Sequence, residues 1–555
     1  MHPVTQDVKE ALSVVGTLLG RVTRNLVELS IINGQISNDK IDERQLAAYD
    51  LAYIAAEIRA AEALLRFSES QDDSLTSKLA SFFTADVVKD ITARLAGRAE
   101  ECGLKPQDLA QTISSGQVAD FLSSVSDPAF YHETAELLAK KLPPYGLSSE
   151  HEEIRQLFKK FAETRVVPVA EKIHREDHLV PEEVVKELAE MGCFGLSIPQ
   201  RYEGFQDDKK PDNLAMVLAT EELSRGSLGV AGSLITRPEI LAKALLKGGT
   251  EEQKAKWLPL IATGKKMVSV AVTEPDYGSD VAGIMVKATP KDNGWVIHGT
   301  KMWCTFAGRA EILMVLARTD PDMTKKHRGL SVFIVEKPPH GGSKFESKQE
   351  KGGIISGRQI PCIGYRGMHT FEVVFDNYWV PEENLIGGKE GLGKGFYLQM
   401  DGFAGGRLQT AARANGVSQA AFEEALKYAL ARKVFGKPIF DYQITRWKLT
   451  RMAAMLAASR QMTYAVARLF DAGRGQMEAS LVKLFASRIS EWITREATQI
   501  HGAMGYAEET AVSRYFVDAR VFSIFEGAEE ILALRVIAKN LLEEALKRQI
   551  SGVAS

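Results

Sequence analysis

The spacing of apolar residues changes character twice along this chain, and those two changes constrain its fold more than any single motif. Up to about residue 266 apolar residues recur every three to four positions, the period of helices packed on one face. Short β-rich runs then take over at 268–272, 294–298, 312–317, 330–335 and 371–375, punctuated by Gly, Pro, Asn and Asp as turns require. From residue 393 to 546 the helical period returns in long segments. Such a chain is α+β and mostly helical, with one small β domain between helical parts.

At 555 residues the chain exceeds a single core. The first 142 residues read as helices, at 7–32, at 41–67 with Asn38-Asp39 as its cap, and near 85–99 and 131–141. The clearest break is Lys141-Leu142-Pro143-Pro144-Tyr145-Gly146. Ser148-Ser149-Glu150-His151-Glu152 reads as a capped restart. The expected domains are a helical extension at 1–145, a helical domain at 146–266, a β domain at 267–385 and a helical bundle at 386–555. One echo joins the ends. Gln45, Leu51, Ala55-Ala56 and Ala60 share their spacing with Gln443, Leu449, Ala453-Ala454 and Ala458. Either the extension is a degenerate second bundle, or two Ala-rich amphipathic helices look alike.

A net charge of −3 gives no basic field for nucleic acid and no polybasic membrane stripe. The most apolar stretch, 228–246, is broken by Arg237, Glu239 and Lys243, so no membrane span is expected. The N-terminus lacks a basic-then-apolar signal, and Cys102, Cys193, Cys304 and Cys362 are scattered without a C-x-x-C pair. A cytoplasmic protein with reduced thiols and no metal site is the expectation.

Two segments in the β region carry chemistry. Thr273-Glu274-Pro275-Asp276-Tyr277-Gly278-Ser279-Asp280 follows the first β run, just after Val272. Gly278 permits a tight bend, and Thr273 and Ser279 offer hydroxyls to a polar ligand; a plain β turn is the alternative. In Lys301-Met302-Trp303-Cys304-Thr305, Trp303 and Thr305 alternate and share one strand face. That face suits a flat ring with a polar edge, unless Trp303 is simply a half-buried core residue.

Together these segments resemble the flavin strand pair of the acyl-CoA dehydrogenase family, and further blocks fall into line. Arg432-Lys433-Val434-Phe435-Gly436, with Gln443, resembles the segment that reaches the ADP half of FAD in a neighbouring subunit. Gln499-Ile500-His501-Gly502-Ala503-Met504-Gly505-Tyr506 resembles a second FAD loop. Asp518-Ala519-Arg520 and then Phe525-Glu526-Gly527 resemble the segment with the catalytic glutamate. The resemblance spans residues 147–546. It implies two helical domains enclosing a β domain, bound FAD, an acyl-CoA substrate, a homodimer or homotetramer, and an electron-transfer flavoprotein as acceptor.

The chemistry agrees with the residues. A thioester α-hydrogen is a weak acid, so its removal needs a carboxylate in a dry site and a donor to the enolate oxygen. The resemblance assigns the first role to Glu526 and the second to its own N–H with a flavin ribityl hydroxyl. Gly527 leaves room for the thioester beside the backbone. Some members carry the base just before the arginine matching Arg407; here that position is Gly406. Arg407 either orients the pantetheine arm and nearby loop or forms an intersubunit ion pair. Gly391-Leu392-Gly393-Lys394-Gly395 follows no strand–turn–helix unit and reads as a loop before a helix.

Two places depart from the family. Ala528-Glu529-Glu530 stands where Thr-Ser-Gln is usual, and the β domain has an insertion near 345–361. The resemblance also implies a cation at the acyl pocket. In the family the helix after the stretch resembling Glu221-Glu222-Leu223-Ser224-Arg225 lines this pocket, and counting on reaches Thr236-Arg237-Pro238-Glu239. A fatty tail would strand a guanidinium there, whereas a second carboxylate would pair with it bidentately. Arg237 therefore points to a short dicarboxylic acyl group, the alternative being that it points away and pairs with Glu239 or another group of the chain. An acyl-CoA oxidase, another short- or branched-chain dehydrogenase and a non-catalytic flavoprotein scaffold are the competing readings.

Overall fold

Residues 312–317 contain no polar side chain, so as a strand they have to be covered on both faces. The computed structural model describes residues 3–114, 116–350 and 352–551, and in it the strand Ile312–Arg318 is buried throughout. Ile312, Met314 and Leu316 enter one core with Leu241, Leu245, Trp257 and Ile261 of the helices Thr236–Gly248 and Glu251–Ala262. Leu313, Val315 and Ala317 enter a second core with Phe333, Phe371, Val373 and Phe375. The sheet has eight strands. Val268–Ala271 pairs parallel with Ile312–Arg318, which pairs antiparallel with Leu330–Glu336. The long strands Gly294–Thr305 and Thr370–Pro381 pair antiparallel.

Every expected β run coincides with a strand or part of one, except that the first strand ends at Ala271, one residue short of Val272. Within this sheet three strands lie outside the expected runs: Lys287–Lys291, Lys344–Lys348 and Ile354–Ile360. The last two form an antiparallel pair that borders Thr370–Pro381. The segment near 345–361 thus forms one edge of the sheet. Its Lys-Phe-Glu-Ser-Lys alternation is what an edge strand uses to resist further pairing, and it hides the strand from a search for apolar runs.

This sheet belongs to one compact unit, residues 150–416 with 470–474; residues 1–149, 417–469 and 475–555 form the other. In that second unit the N-terminal extension and the C-terminal helices share one core. The helix Gln45–Ser70 is buried along most of its length. Phe83 meets Phe485 edge to face with ring centroids 5.7 Å apart. Arg451 pairs with Asp86 at 2.7 Å, Arg446 with Glu136 at 2.9 Å and Arg535 with Asp42 at 2.6 Å. The guanidinium of Arg460 lies 4.0 Å from the ring centre of Tyr145.

Caps differ in detail from the expectation. Ser37, not Asn38-Asp39, accepts from the Lys40 N–H and starts a short helix, Asn38–Asp42; the long helix begins separately at Gln45. The internal echo extends beyond side-chain spacing. Gln45 and Gln443 each open a long helix. Before each comes a two-residue hairpin, Ile31–Ile32 with Gln35–Ile36 and Lys433–Val434 with Lys437–Pro438. Both hairpins turn through two left-handed residues, Asn33 and Gly34 at φ 52° and 76°, Phe435 and Gly436 at φ 50° and 86°. Shared helical composition does not require a shared hairpin, so this order favours a degenerate second bundle. Among the described residues no helix is long and apolar enough to cross a membrane.

Candidate active site

The β domain supplies one group of expected site residues. Its foundation is a buried ion pair. Lys301 is fully buried, and its Nζ donates to Val272 O and to Glu274 Oε1, each at 2.8 Å. The Glu274 carboxylate also accepts the N–H groups of Met285 and Val286 at 2.6 and 2.9 Å. Burial depresses the Lys301 ammonium, and Glu274 opposes that shift. One lysine thus ties the end of the first strand to the turn after it. The turn is closed by Glu274 N–H donating to Tyr277 O at 2.9 Å. It leaves Ser279 exposed and Thr273 half-buried, while Val272 is buried. Gly278 corrects the expectation: it takes no left-handed φ, and a Cβ there would meet nothing within 4 Å.

Trp303 is not a core residue. Its exposure is 55%, and it takes φ +61°, a conformation unusual for a bulky residue. The pairing with Thr370–Pro381 shifts register at this point, so the strand bulges. Strict alternation from Trp303 to Thr305 is therefore broken. Thr305 is buried and its hydroxyl lies 3.2 Å from that of Thr370. A bulge that turns a large indole outward prepares a face for a flat partner.

Arg237 is only 7% exposed. Its Nη1 donates to Ser233 O at 3.3 Å, and its guanidinium lies 5.6 Å from the ring centre of Tyr365. Glu239 is not its partner; that carboxylate accepts from Gln409 Nε2. Among the described residues no carboxylate forms an ion pair with Arg237. Beside it Thr236 is fully buried, and its hydroxyl has no hydrogen-bond partner among the described residues. Arg407 is half-buried on the helix Gly395–Ala431, next to a buried Gly406.

The second unit supplies the other group. Arg432 precedes the hairpin, and its carbonyl accepts the Ile439 N–H at 2.8 Å. Phe435 at the hairpin tip is 94% exposed. Gln443 and Gln499 are exposed, as are Gly502 and Ala503 where one helix ends and the next begins. Nearby Tyr506 is 91% exposed. Segments expected to serve a neighbouring subunit's FAD thus present their side chains outward. Taken separately, the exposed indole of Trp303 suits a flat isoalloxazine face, and the exposed guanidinium of Arg432 with the exposed Phe435 ring suits a pyrophosphate and an adenine.

Glu526 and Gly527 form a sharp turn, at φ +54° and +104°. At φ +104° any other L residue is strained, and a Cβ on residue 527 would also come within 2.9 Å of Leu532 Cδ2, so the position favours glycine. The carbonyl of Gly527 accepts from Lys483 Nζ at 2.7 Å, and Lys483 is fully buried. Glu526 itself is half-buried. Two supports went unforeseen: Lys483 from a neighbouring helix, and Tyr49 of the extension, whose hydroxyl donates to Glu529. The only signal for Lys483 was a lone charge inside the apolar run Ser480-Leu481-Val482-Lys483-Leu484-Phe485.

Comparison with known proteins accounts for most of the chain. Residues 148–265 match the acyl-CoA dehydrogenase N-terminal domain, 269–378 its middle domain and 393–542 its C-terminal domain. The chain is 38% identical to the (2S)-methylsuccinyl-CoA dehydrogenase of Cereibacter sphaeroides, over 96% of this chain and 97% of that one, so the match includes the extension. It is similar in structure to butyryl-CoA dehydrogenase from Megasphaera elsdenii (TM-score 0.65, 32% identity, 71% of this chain and 99% of that one). It is also similar to a glutaryl-CoA dehydrogenase from Mycobacterium smegmatis in complex with FADH2 (TM-score 0.59, 25% identity, 74% and 96%).

Proposed function

This chain belongs to the acyl-CoA dehydrogenase family, and from that premise we propose that it oxidises (2S)-methylsuccinyl-CoA to mesaconyl-CoA, a step of the ethylmalonyl-CoA pathway. The carrying observation is Arg237, a buried guanidinium with no carboxylate from the described residues in an ion pair with it. A monocarboxylic acyl tail leaves that charge uncompensated, and the free carboxylate of a methylsuccinyl group pairs with it. The full-length relationship to a methylsuccinyl-CoA dehydrogenase supports the same substrate.

In this reading Glu526 removes the α-proton, breaking the Cα–H bond, and its backbone N–H donates to the thioester oxygen as charge develops there. FAD, when bound, would supply the acceptor for the β-hydrogen as hydride, so that loss of the two hydrogens leaves a Cα–Cβ double bond. Val272, Thr273, Ser279, Trp303 and Thr305 would hold the flavin, and Arg432, Phe435, Gln443, Gln499, Gly502 and Ala503 would serve a second copy's FAD in a homodimer or homotetramer. Thr236, Arg237, Ser279, Arg407 and Gly527 hold the substrate. An electron-transfer flavoprotein, the acceptor implied by the family, takes the electrons on.

The test is anaerobic mixing of the yellow protein with methylsuccinyl-CoA, followed by flavin absorbance. Bleaching is expected for the wild type, and Glu526→Gln keeps its colour without bleaching. A Glu526→Gln enzyme reduced at the wild-type rate refutes the assignment of the base.

A further inference from the structure

We infer that Tyr49, far away in sequence in the N-terminal extension, is a positioning residue for Glu526; this rests on the reading of Glu526 as the base. The turn that carries Glu526 is conformationally expensive. A glutamate at φ +54° followed by a glycine at φ +104° persists only where the surroundings over-determine it. Two grips do so. Lys483 holds the carbonyl of Gly527 from the helix Gln476–His501. Tyr49 holds the carboxylate of Glu529, two residues further on, from the helix Gln45–Ser70.

Tyr49 is itself fixed. Its ring packs against Tyr53 with centroids 5.0 Å apart, and Tyr53 is almost wholly buried beneath the guanidinium of Arg488, 4.3 Å from its ring centre. Burial and the adjacent Glu529 push the Tyr49 phenol up to about 12, so it remains a donor across the working pH range. The hydrogen bond also joins the two features that set this sequence apart. Glu529 lies in the Ala528-Glu529-Glu530 segment that departs from the family pattern, and its partner lies in the extension. The extension thereby reaches the segment that carries the base.

Tyr49→Phe removes one hydroxyl and keeps the ring packing. Its anaerobic bleaching by methylsuccinyl-CoA, with butyryl-CoA as a second probe, is read as a rate constant per bound flavin, so loss of folded enzyme lowers the amplitude only. The limiting rate is expected to fall about tenfold, with the half-saturating substrate concentration within about twofold of wild type. Glu529→Gln is expected to fall similarly, and the double variant no further than the worse single one. A wild-type limiting rate in Tyr49→Phe, or losses that multiply in the double variant, overturns the inference. If Tyr49→Phe yields no folded enzyme, a wild-type rate in Glu529→Gln overturns it instead. Glu526→Gln, run in parallel, separates the two readings. An inert Glu526→Gln beside a normal Tyr49→Phe defeats only the positioning role, and a normal Glu526→Gln defeats both.

Discussion

Single residues set the chemistry, and they differ in how visible they are. Glu526 and Gly527 stood out as candidates because a carboxylate directly before a glycine closes an ordered series of motifs. Lys483 and Tyr49 did not, because their partners lie 44 and 480 positions away in the chain. Arg237 stood out as an oddity, a cation where an apolar lining is usual; in the structure Glu239 accepts from Gln409, and Arg237 donates to the Ser233 carbonyl beside the Tyr365 ring. Arg237→Met is expected to slow oxidation of methylsuccinyl-CoA by roughly ten- to a hundredfold, the worth of a charge-assisted pair. Butyryl-CoA is expected to change by less than about threefold. Equal losses with both substrates, in parallel steady-state assays, refute the specificity role.

At the scale of elements, apolar strands were found and polar ones missed. The run at 312–317 announces a strand covered on both faces, whereas Lys344–Lys348 carries the charges of a sheet edge and has no apolar run to betray it. The bulge at Trp303 was invisible for a related reason: register is a property of two strands, and one sequence stretch shows only its own period. The strand Leu330–Glu336 leads into another feature, Lys337, whose Nζ donates to Gly308 O at 2.7 Å and Pro338 O at 2.9 Å. Burial, opposed by Glu311, lowers this ammonium from 10.5 to about 7. Between those values the unfolded chain binds the proton more tightly, so this residue makes stability rise with pH through that window and adds no slope below it. From pH 7 to 9 its contribution is expected to grow by about 2 kcal/mol. Denaturant titrations at the two pH values are expected to show that rise in the wild type and its loss in Lys337→Met; the same slope in both proteins refutes it.

Over the whole molecule, family membership was legible from the order of several weak blocks, and the role of the extension was not. Its docking depends on pairs such as Arg451 with Asp86 and Phe83 with Phe485, each joining distant parts of the chain. A protein lacking residues 1–146 strips the partners from those side chains and opens a broad apolar face on the C-terminal helices. It is expected to lose most of its soluble, flavin-bound yield. A yellow truncated protein that melts within about 3 °C of the full chain would mean that the extension is dispensable for the fold.

The unit that joins the two ends of the chain has a consequence at the ribosome. Residues 1–149 leave the tunnel first, but the surface that completes their core is encoded only from residue 417 onward. At about 5–20 residues per second the nascent helices wait roughly 13–54 s for their partners. Throughout that interval Phe83 and its neighbours have no Phe485 to meet. Slow synthesis or scarce holdase capacity should therefore reduce the yield of this enzyme more than that of a relative without the leading segment.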